Sequence, residues 1–267
     1  MSKIVLITGA SSGIGKSTAE FLASKNHTVY GTGRSPKSNE NNSYSLIPLD
    51  VTKLDTIQEA INHIISKEGR IDVLVNNAGM GITGPIEDTP TTEMRKVFET
   101  NFFGAIDVMK AVLPQMRKQK SGVIINVTSI AGYMGLPYRG VYSATKGALD
   151  LVSEAIRMEV KEFGIKIATI APGDVATNIA AGRYHTPVFE DSAYKEKYQL
   201  NLDLMDSHVD SGMNPNKMAE QIYQIINSNQ PEVHYKVGSF MEVFSIVLKR
   251  ILPSKSYERL LMNHYKL

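Results

Sequence analysis

The sequence predicts an α/β fold: a single domain with a doubly wound parallel sheet of about seven strands. Three observations support this prediction. Strands and helices alternate along the chain. Each predicted strand is a continuous apolar run, which is typical of strands buried on both faces. No internal repeat or linker interrupts the 267 residues, so residues 1–267 are interpreted as one domain.

The individual elements follow from hydrophobic periodicity and turn residues. Apolar runs predict strands at 4–8, 28–32, 46–49, 71–75, 123–127, 165–171 and 233–237. Helical spacing predicts helices at 16–25, 53–67, 91–116, 140–163 and 215–227. Thr91 or Thr92 is the expected N-cap of the third helix, and Gly164 the expected end of the fourth. Residues 174–213 are expected to be irregular, and 239–267 form a helical tail broken at Pro253.

Composition excludes several classes of protein. The net charge of +2, with no evident basic face, argues against a nucleic-acid partner. The absence of cysteine excludes disulfides, Cys-zinc sites and a cysteine nucleophile, and suits a reducing compartment. No apolar run resembles a signal peptide or a membrane span, and no Asp/His cluster indicates a metal. We therefore expect a cytoplasmic protein without a catalytic metal.

A glycine-rich turn, GASSGIG at 9–15, lies between the first predicted strand and helix. Glycines there allow a tight turn and a close approach to a pyrophosphate, which the N–H groups and dipole of the following helix would bind. The spacing alone is a weak signal, because such turns are common after strands. Its position after the first strand of an alternating pattern strengthens it, and it predicts a Rossmann-type dinucleotide site.

The nucleotide is predicted from the end of the second strand. Residues 31–35 contain no carboxylate to bind a ribose 2′-hydroxyl. Arg34 would instead bind a 2′-phosphate, assisted by Ser35, unless it is simply a solvated loop arginine. NADP is therefore favoured over NAD. Asp50 and Val51, after the third strand, either hold the adenine edge or begin the next helix with Asp50 as its N-cap.

The stretch 123–146 carries the parts of a proton-transfer site. Tyr142 and Lys146 are four residues apart and share a helix face. A nearby ammonium favours the deprotonated phenol that proton exchange near neutral pH requires. Ser129 ends the preceding strand, at the sheet edge where ligands bind, and would hold a substrate oxygen. The alternative is that all three are ordinary surface or strand-end residues, since this spacing also arises by chance.

Six motifs together resemble the single-domain branch of the short-chain dehydrogenase/reductase family. They are TGASSGIG at 8–15, NNAG at 76–79, Asn101, Ser129, YSATK at 142–146 and PG at 172–173, in the family's order and spacing over about residues 1–180. The segment 128–149 is most similar to hydroxysteroid and retinol dehydrogenases of that family.

The resemblance implies a role for each matched residue. Tyr142 would be the general acid/base, Lys146 would assist it and bind the nicotinamide ribose, and Ser129 would orient the substrate oxygen. Asn101 would hold a water in a proton relay, or it is a mid-helix asparagine that bonds backbone. The implied cofactor-binding residues are Gly9, Ser11, Ser12, Gly13, Ile14, Gly15, Asn77, Ala78, Gly79, Tyr142, Lys146, Pro172, Gly173, Val175 and Thr177. The NNAG segment is expected to be partly structural.

The C-terminal third is where the family varies with substrate. Residues 178–213 correspond to its substrate loop, whose apolar side chains form a lid or simply pack. They are Tyr184, Phe189, Tyr194, Tyr198 and several Leu and Met. His185 and His208 are interpreted as ordinary loop histidines. A helical stripe in the tail is expected to pack on the core, close the cavity or meet a second subunit, or alternatively to touch a membrane. Its members are Phe240, Val243, Phe244, Val247, Leu248 and Ile251.

The sequence thus predicts an NADP(H)-dependent oxidoreductase that interconverts a secondary alcohol and a ketone or aldehyde on a hydrophobic substrate. The alternatives are a 3-oxoacyl thioester reductase, a non-catalytic NADP-sensing or regulatory protein on the same fold, and a sugar-nucleotide epimerase or dehydratase. The presence of all four catalytic residues argues against a protein that only binds. The resemblance also implies a homodimer or homotetramer formed through the two long helices.

Overall fold

The structure, a computed structural model, describes residues 2–36, 43–176, 182–210 and 212–267; the side chains of residues 204 and 206–210 are outside that description. The strands are β1 (Ile4–Ile7), β2 (Thr28–Gly33), β3 (Ser45–Pro48), β4 (Val73–Asn76), β5 (Ile82–Thr83), β6 (Gly122–Val127), β7 (Ile165–Pro172), β8 (Tyr184–His185) and β9 (His234–Val237). The helices are α1 (Gly13–Ser24), α2 (Leu54–Glu68), α3 (Thr91–Phe98), α4 (Gly104–Gln119), α5 (Gly140–Glu159), α6 (Lys195–Asp210), α7 (Pro215–Asn227), α8 (Phe240–Ile251) and α9 (Ser254–His264).

The central sheet has seven parallel strands in the order β3-β2-β1-β4-β6-β7-β9. This confirms the predicted doubly wound, Rossmann-type α/β fold. The strand order reverses between β1 and β4, and a crevice forms at the carboxyl ends of strands at such a switch point. The glycine turn follows β1 and the NNAG segment follows β4, so both predicted cofactor motifs border that crevice.

The sheet is buried on both faces. Leu6 and Leu74 face a core layer shared with α2, α4 and α5, whereas Val5 and Val75 face a layer shared with α1 and α7. Successive side chains of a strand point to opposite faces. Two consecutive residues of a strand must therefore both be apolar, which explains the continuous apolar runs in the sequence.

A long helix pair is interrupted beside the predicted site. The predicted helix 91–116 runs as α3 and α4, joined by a π-helical turn at Glu99–Phe103. The expected cap at Thr91 or Thr92 is wrong: Pro90 is the N-cap residue and no side chain caps this helix. The predicted helix 140–163 ends as α5 at Glu159, and a 3₁₀ turn then leads to Gly164, whose φ is +71°.

The segment 174–213, expected to be irregular, contains β8 and α6, so this expectation is wrong. Helix α6 has a largely polar sequence and no continuous apolar stripe, and periodicity therefore gave no signal. It is fixed by single buried side chains: Tyr198 donates a hydrogen bond to the Thr83 carbonyl (3.0 Å), and Asn201 donates one to the Tyr265 carbonyl (3.0 Å). Strand β8 pairs in parallel with β5 as a small second sheet.

The tail forms α8 and α9, which pack on the 3₁₀ turn after Ser129 through a third apolar cluster. Ile246 is the buried residue of α8, and Tyr257 of α9 lies against Met134. Phe240, Phe244, Val247 and Ile251 of the tail stripe are exposed, so packing on the core does not account for them. Contact of these residues with a second subunit or with a membrane stays a prediction. None of the helices in the described ranges is long and apolar enough to cross a membrane.

Candidate active site

The glycine turn forms an anion cradle between β1 and α1. Gly9 and Gly13 have φ of +66° and +55°, which L side chains rarely adopt. A Cβ on Gly9 would also lie 2.9 Å from the Ala78 Cα. Ser12 is the N-cap residue of α1 and makes no side-chain capping bond, so the first N–H groups of the helix can meet a phosphate.

Hydrogen bonds brace this turn against the NNAG segment. The Thr8 hydroxyl accepts from the N–H groups of Asn77 and Ala78, each at 3.0 Å. The Asn77 side-chain amide donates to the Thr8 and Gly9 carbonyls, also at 3.0 Å. NNAG is therefore partly structural, as expected, and Thr8 is a bracing residue that the sequence analysis missed. A Cβ on Gly15 would collide with the Gly9 carbonyl, so Gly15 permits close packing and does not line the cleft.

A cleft of about 780 Å³ extends from this turn across the sheet edge. It brings together most of the predicted cofactor residues: Gly9, Ser11, Ser12, Gly13, Ile14, Arg34, Asp50, Val51, Asn77, Ala78 and Gly79. Ser35 is exposed outside the lining, and Thr177 lies outside the described residues. The cleft also contains residues that sequence reasoning missed, including Arg95 and Thr100. Arg95 is a cation on an exposed helix face, and nothing in the sequence distinguishes such a residue from an ordinary surface arginine.

Asp50 does not cap a helix. Its carboxylate accepts from the Thr52 N–H (3.0 Å) and hydroxyl (2.8 Å), and the N-cap residue of α2 is Lys53. The N-cap interpretation is therefore wrong. Burial alone would raise the pKa of Asp50, but the two Thr52 hydrogen bonds and the charges of Lys53 and Arg34 lower it below its usual value. An ionised carboxylate thus sits in the cleft within electrostatic reach of Arg34.

The three residues of the predicted proton-transfer site come together at one edge. Ser129 is buried and its hydroxyl accepts from the Ala131 N–H at 3.1 Å. Tyr142, half-buried on α5, lines the same cavity as Ser129. Lys146 is buried one turn further along α5; its ammonium donates to the Val127 carbonyl (2.9 Å) and lies 6.0 Å from the Tyr142 ring centroid.

Two opposing effects act on the pKa of Lys146. Burial lowers the pKa of Lys146, while the nearby Tyr142 and Asp150 oppose that shift. A Cβ on Gly79 would lie 3.5 Å from the Lys146 ammonium and 3.2 Å from the Asn101 side-chain oxygen. Gly79 therefore marks the point where the cofactor cleft, Lys146 and Asn101 meet.

Asn101 lies at the centre of the π-helical turn and is fully buried. Its side chain accepts from the Met80 N–H (2.8 Å) and donates to the Met80 carbonyl (2.9 Å) and the Thr145 hydroxyl (3.2 Å). It therefore bonds backbone of the loop after β4 and not that of its own helix. π-Turns interrupt the regular helical bonding and are frequent at functional sites. The water that the resemblance implies stays a prediction.

A second cavity, of about 520 Å³, adjoins the cleft, and Ile14 lines both. Its floor contains Ser129, Tyr142, Pro172, Gly173 and Val175, whereas Lys146 and Asn101 are in the lining of neither this cavity nor the cleft. Its walls are largely apolar side chains from α6 and the tail, namely Met205, Met241, Leu248, Tyr257, Leu260 and Leu261, with Ile130, Met134 and Leu136 from the loop after β6. The tail therefore helps to build the cavity, although not through the whole predicted stripe.

The four aromatic side chains of the predicted lid do not line this cavity, although Met205 of the same segment does. Tyr198 is buried under the Thr83 carbonyl, and the Tyr194 hydroxyl donates to Glu87 at 2.8 Å. Tyr184 belongs to β8, and Phe189 is exposed outside the lining. The alternative, that these aromatics pack, holds for Tyr198, which is buried, and not for Phe189. Among the two histidines of this segment, His185 lies in β8, and the side chain of His208 is outside the described residues.

Comparison with known proteins agrees with this geometry. A family model for short chain dehydrogenases matches residues 3–187. A 3-ketodihydrosphingosine reductase from Bacteroides thetaiotaomicron is 40% identical over 264 residues, with 98% of each chain covered. The structure of a short-chain dehydrogenase from Streptomyces avermitilis superposes with a TM-score of 0.83 at 31% identity, covering 99% of this chain and 97% of that one.

A third similar protein carries a cofactor. The structure of ElxO with NADP bound has a TM-score of 0.72 and 30% identity, covering 89% of this chain and 97% of that chain. The chain belongs to the short-chain dehydrogenase/reductase family and is an oxidoreductase. The resemblance inferred from the six motifs is thereby confirmed.

Proposed function

We propose that the protein is an NADPH-dependent reductase of a long-chain, lipid-like ketone, of which 3-ketodihydrosphingosine is the leading candidate. The observation that carries the proposal is the apolar cavity that begins at Ser129 and Tyr142 and continues between α6, α8 and α9. A carbonyl at the inner end of such a cavity would meet the proton-transfer side chains while its hydrocarbon chain is shielded from water.

The cleft fits a dinucleotide. The positive φ of Gly9 and Gly13 and the first N–H groups of α1 suit a pyrophosphate, and the cleft continues past Gly79 towards Lys146. When bound, NADPH supplies the hydride that reduces the carbonyl carbon. The residues of the chain orient and protonate the substrate. Tyr142 gives its phenolic proton to the carbonyl oxygen, and Ser129 holds that oxygen by a hydrogen bond.

Lys146 and Asn101 support the proton transfer. The Lys146 ammonium stabilises the phenolate left on Tyr142 and is held in place by the Val127 carbonyl. Asn101 fixes the loop after β4 through both polar groups of Met80, close to Lys146. A water relay through Asn101 remains part of the proposal. A regulatory protein that only binds the nucleotide would have no chemical need for all four of these residues.

The preference for NADP over NAD rests on Arg34. It follows β2 directly, is exposed in the cleft wall and has no carboxylate neighbour within residues 31–35. A guanidinium binds a phosphate in a bidentate manner, whereas a ribose 2′-hydroxyl would call for a carboxylate. The similar ElxO structure contains NADP, which supports the same assignment.

The substrate class rests on the walls of the cavity. 3-Ketodihydrosphingosine combines a long alkyl chain with an amino and a hydroxyl group beside the ketone. The apolar walls suit the chain, and the Glu242 carboxylate, which accepts the Asp174 N–H at 2.6 Å, offers a partner for an ammonium. The name of the similar Bacteroides protein supports this candidate over steroids, retinoids and 3-oxoacyl thioesters.

The decisive experiment is NADPH oxidation with a matched set of ketones and one aldehyde, retinal. The set contains 3-ketodihydrosphingosine, a long-chain ketone of equal length without the amino group, a 3-oxoacyl thioester, a steroid ketone and retinal. We expect the highest kcat/KM with 3-ketodihydrosphingosine and a lower value for the ketone without nitrogen. A higher kcat/KM with the thioester would favour that alternative, and no turnover with any ketone would favour the regulatory one.

We also propose that the enzyme is a homodimer or homotetramer that pairs through α4 and α5. Exposed apolar side chains on and beside these helices support this arrangement, namely Phe103, Leu151 and Met158. Light scattering of the purified protein should give the mass of two or four chains. Replacing Leu151 and Met158 by serine should lower that mass.

A further inference from the structure

The outward face of α8 is an exposed apolar surface. Phe240, Phe244, Val247 and Ile251 follow one helical line and all are exposed, with Phe240 at 77% and Ile251 at 67%. We call these four residues the α8 outer face. The opposite side of the same helix packs on the core through Ile246, which is 2% exposed. Helix α8 is therefore apolar on both sides, and core packing accounts for only one of them.

Two local interactions hold the α8 outer face in place. The Phe240 and Phe244 rings stack at 5.4 Å between centroids with an interplanar angle of 12°. The start of the helix is fixed by a capping box between Ser239 and Glu242, whose carboxylate also accepts the Asp174 N–H. Because the start of the helix is firmly fixed, the two exposed phenylalanines form a rigid apolar surface.

This surface is continuous with the mouth of the substrate cavity. Met241 of α8 and Leu260 of α9 line the cavity and are also exposed, at 67% and 48%. The cavity therefore opens between the two tail helices, beside Phe240. A long apolar molecule could pass from a surface in contact with α8 to Tyr142 without crossing water.

The charge of the tail is complementary to an anionic lipid surface. Residues 239–267 contain five lysine or arginine side chains and two glutamates, whereas the rest of the chain contains about as many acidic as basic side chains. Lys249, Arg250, Lys255 and Arg259 are all exposed and lie on the same two helices as the cavity mouth. Lys249 lies over the ring of the buried Tyr257 at 5.2 Å, on the packed side of α8, so the cations available to a lipid surface are Arg250, Lys255 and Arg259. Exposed apolar side chains together with cations on the same pair of helices are typical of segments that lie in the membrane interface.

We infer that the α8 outer face docks on an anionic lipid bilayer and that the cavity takes its substrate directly from that bilayer. The second part of the inference rests on the proposed reduction of a long-chain ketone, whereas the docking itself does not. The expected position has Phe240 and Phe244 among the acyl chains and the tail cations at the headgroups.

The docking is tested by co-sedimentation of the full-length protein with vesicles of phosphatidylcholine, with and without phosphatidylglycerol. We expect binding to the anionic vesicles that weakens with salt. The Phe240→Ser/Phe244→Ser variant should bind roughly tenfold more weakly or worse. The Lys255→Glu/Arg259→Glu variant should lose about fivefold per charge removed, and more with the added repulsion. Leu54→Ser is the matched control, because Leu54 is similarly exposed at 66% on the distant helix α2.

Three results would overturn the docking. They are no binding of the wild type to anionic vesicles, unchanged binding of the Phe240/Phe244 variant, and equal losses in that variant and in Leu54→Ser. Light scattering on the same samples covers the other occupant: a Phe240/Phe244 variant of lower mass but normal vesicle binding would assign the face to a second copy of the chain. Near-wild-type NADPH binding verifies that each variant is folded.

Activity then tests delivery separately from docking. With a long-chain ketone in anionic vesicles, the Phe240→Ser/Phe244→Ser variant should lose about the same factor in rate as in binding, and with a short water-soluble ketone it should match the wild type. Equal rates of both proteins on the vesicle-borne ketone would overturn delivery. If no ketone is reduced but vesicle binding depends on the α8 outer face, the proposed substrate fails while the docking stands.

Discussion

The cofactor cleft and the substrate cavity meet at Ile14, yet they are built in different ways. Around the cleft, short polar side chains fix the backbone: Thr8 and Asn77 brace the glycine turn, and Asn101 holds the loop at Met80. Around the cavity, the walls are apolar side chains, most of them from helices that follow the last motif. Hydride and proton transfer require fixed geometry, whereas an alkyl chain requires only a dry channel of the right shape. The sequence of the cleft region therefore contains recognisable motifs, whereas that of the cavity region shows only general hydrophobicity.

The largest expected effect tests whether the chemistry takes place at Tyr142, in the part of the cavity that adjoins the cleft. Tyr142→Phe keeps the ring but removes the proton, and we expect kcat for a long-chain ketone to fall about 10²- to 10⁴-fold. NADPH affinity, measured by fluorescence titration, should change little. Tyr138→Phe is the matched control, because Tyr138 is also half-buried, lies four residues earlier and does not line the cavity. Near-normal turnover by Tyr142→Phe would refute the mechanism.

A glycine series tests how rigid the cleft side is. Gly9→Ala combines a positive φ with a close contact to Ala78, so we expect it to lower the free energy of unfolding by about 2–4 kcal/mol and to abolish tight NADPH binding. Gly69→Ala has the positive φ but open space, and should cost about 1–2 kcal/mol. Gly135→Ala has neither and should stay within about 0.5 kcal/mol of wild type.

Urea denaturation gives these three values. Equal losses for Gly9→Ala and Gly69→Ala would mean that the contact with Ala78 contributes nothing. The close fit of the two loops would then not be what fixes the cradle.

The next expected effect concerns which nucleotide the cleft selects. Removing a charge-assisted contact to a 2′-phosphate should cost about 1.5–3 kcal/mol, so Arg34→Ala should raise KM for NADPH roughly 10- to 100-fold and leave KM for NADH nearly unchanged. Arg34→Lys keeps the charge and should recover part of the loss. Equal kcat/KM of the wild type for NADPH and NADH would contradict the assignment.

The smallest expected effect lies on the cavity side. Asn201 joins α6 to the C-terminus through the Tyr265 carbonyl, so Asn201→Ala should lower the free energy of unfolding by about 1–2 kcal/mol. We expect KM for a long-chain ketone to rise a few-fold while KM for NADPH stays unchanged. Gln199→Ala, an exposed neighbour on the same helix, is the control and should leave both values unchanged. A rise in KM for NADPH would instead mean that the tail also shapes the cleft.

The share of the structure that could be predicted from the sequence differs between the two regions. It predicted the seven strands of the central sheet, most helices and eleven of the twenty residues that line the cleft, because buried strands and tight turns restrict which residues can occupy them. It missed α6, whose polar sequence is held by two buried contacts to distant residues. It left open whether Asp50 binds the adenine edge or caps the next helix, because a carboxylate before a helix looks the same in sequence whether it caps the helix or bonds a neighbouring threonine.

By itself, the sequence determined the family of this protein and the position of the nucleotide turn, and it predicted Ser129, Tyr142 and Lys146 as a unit. Each of these depends on local backbone geometry or on helix spacing, which a linear pattern can carry. Only the tertiary structure decided what surrounds the substrate. The periodic stripe in the tail could have faced either way, because an apolar face looks the same in sequence whether it meets the core or remains exposed. Packing against Met134 and Tyr257 buried one side of α8 and left Phe240 and Phe244 at the surface.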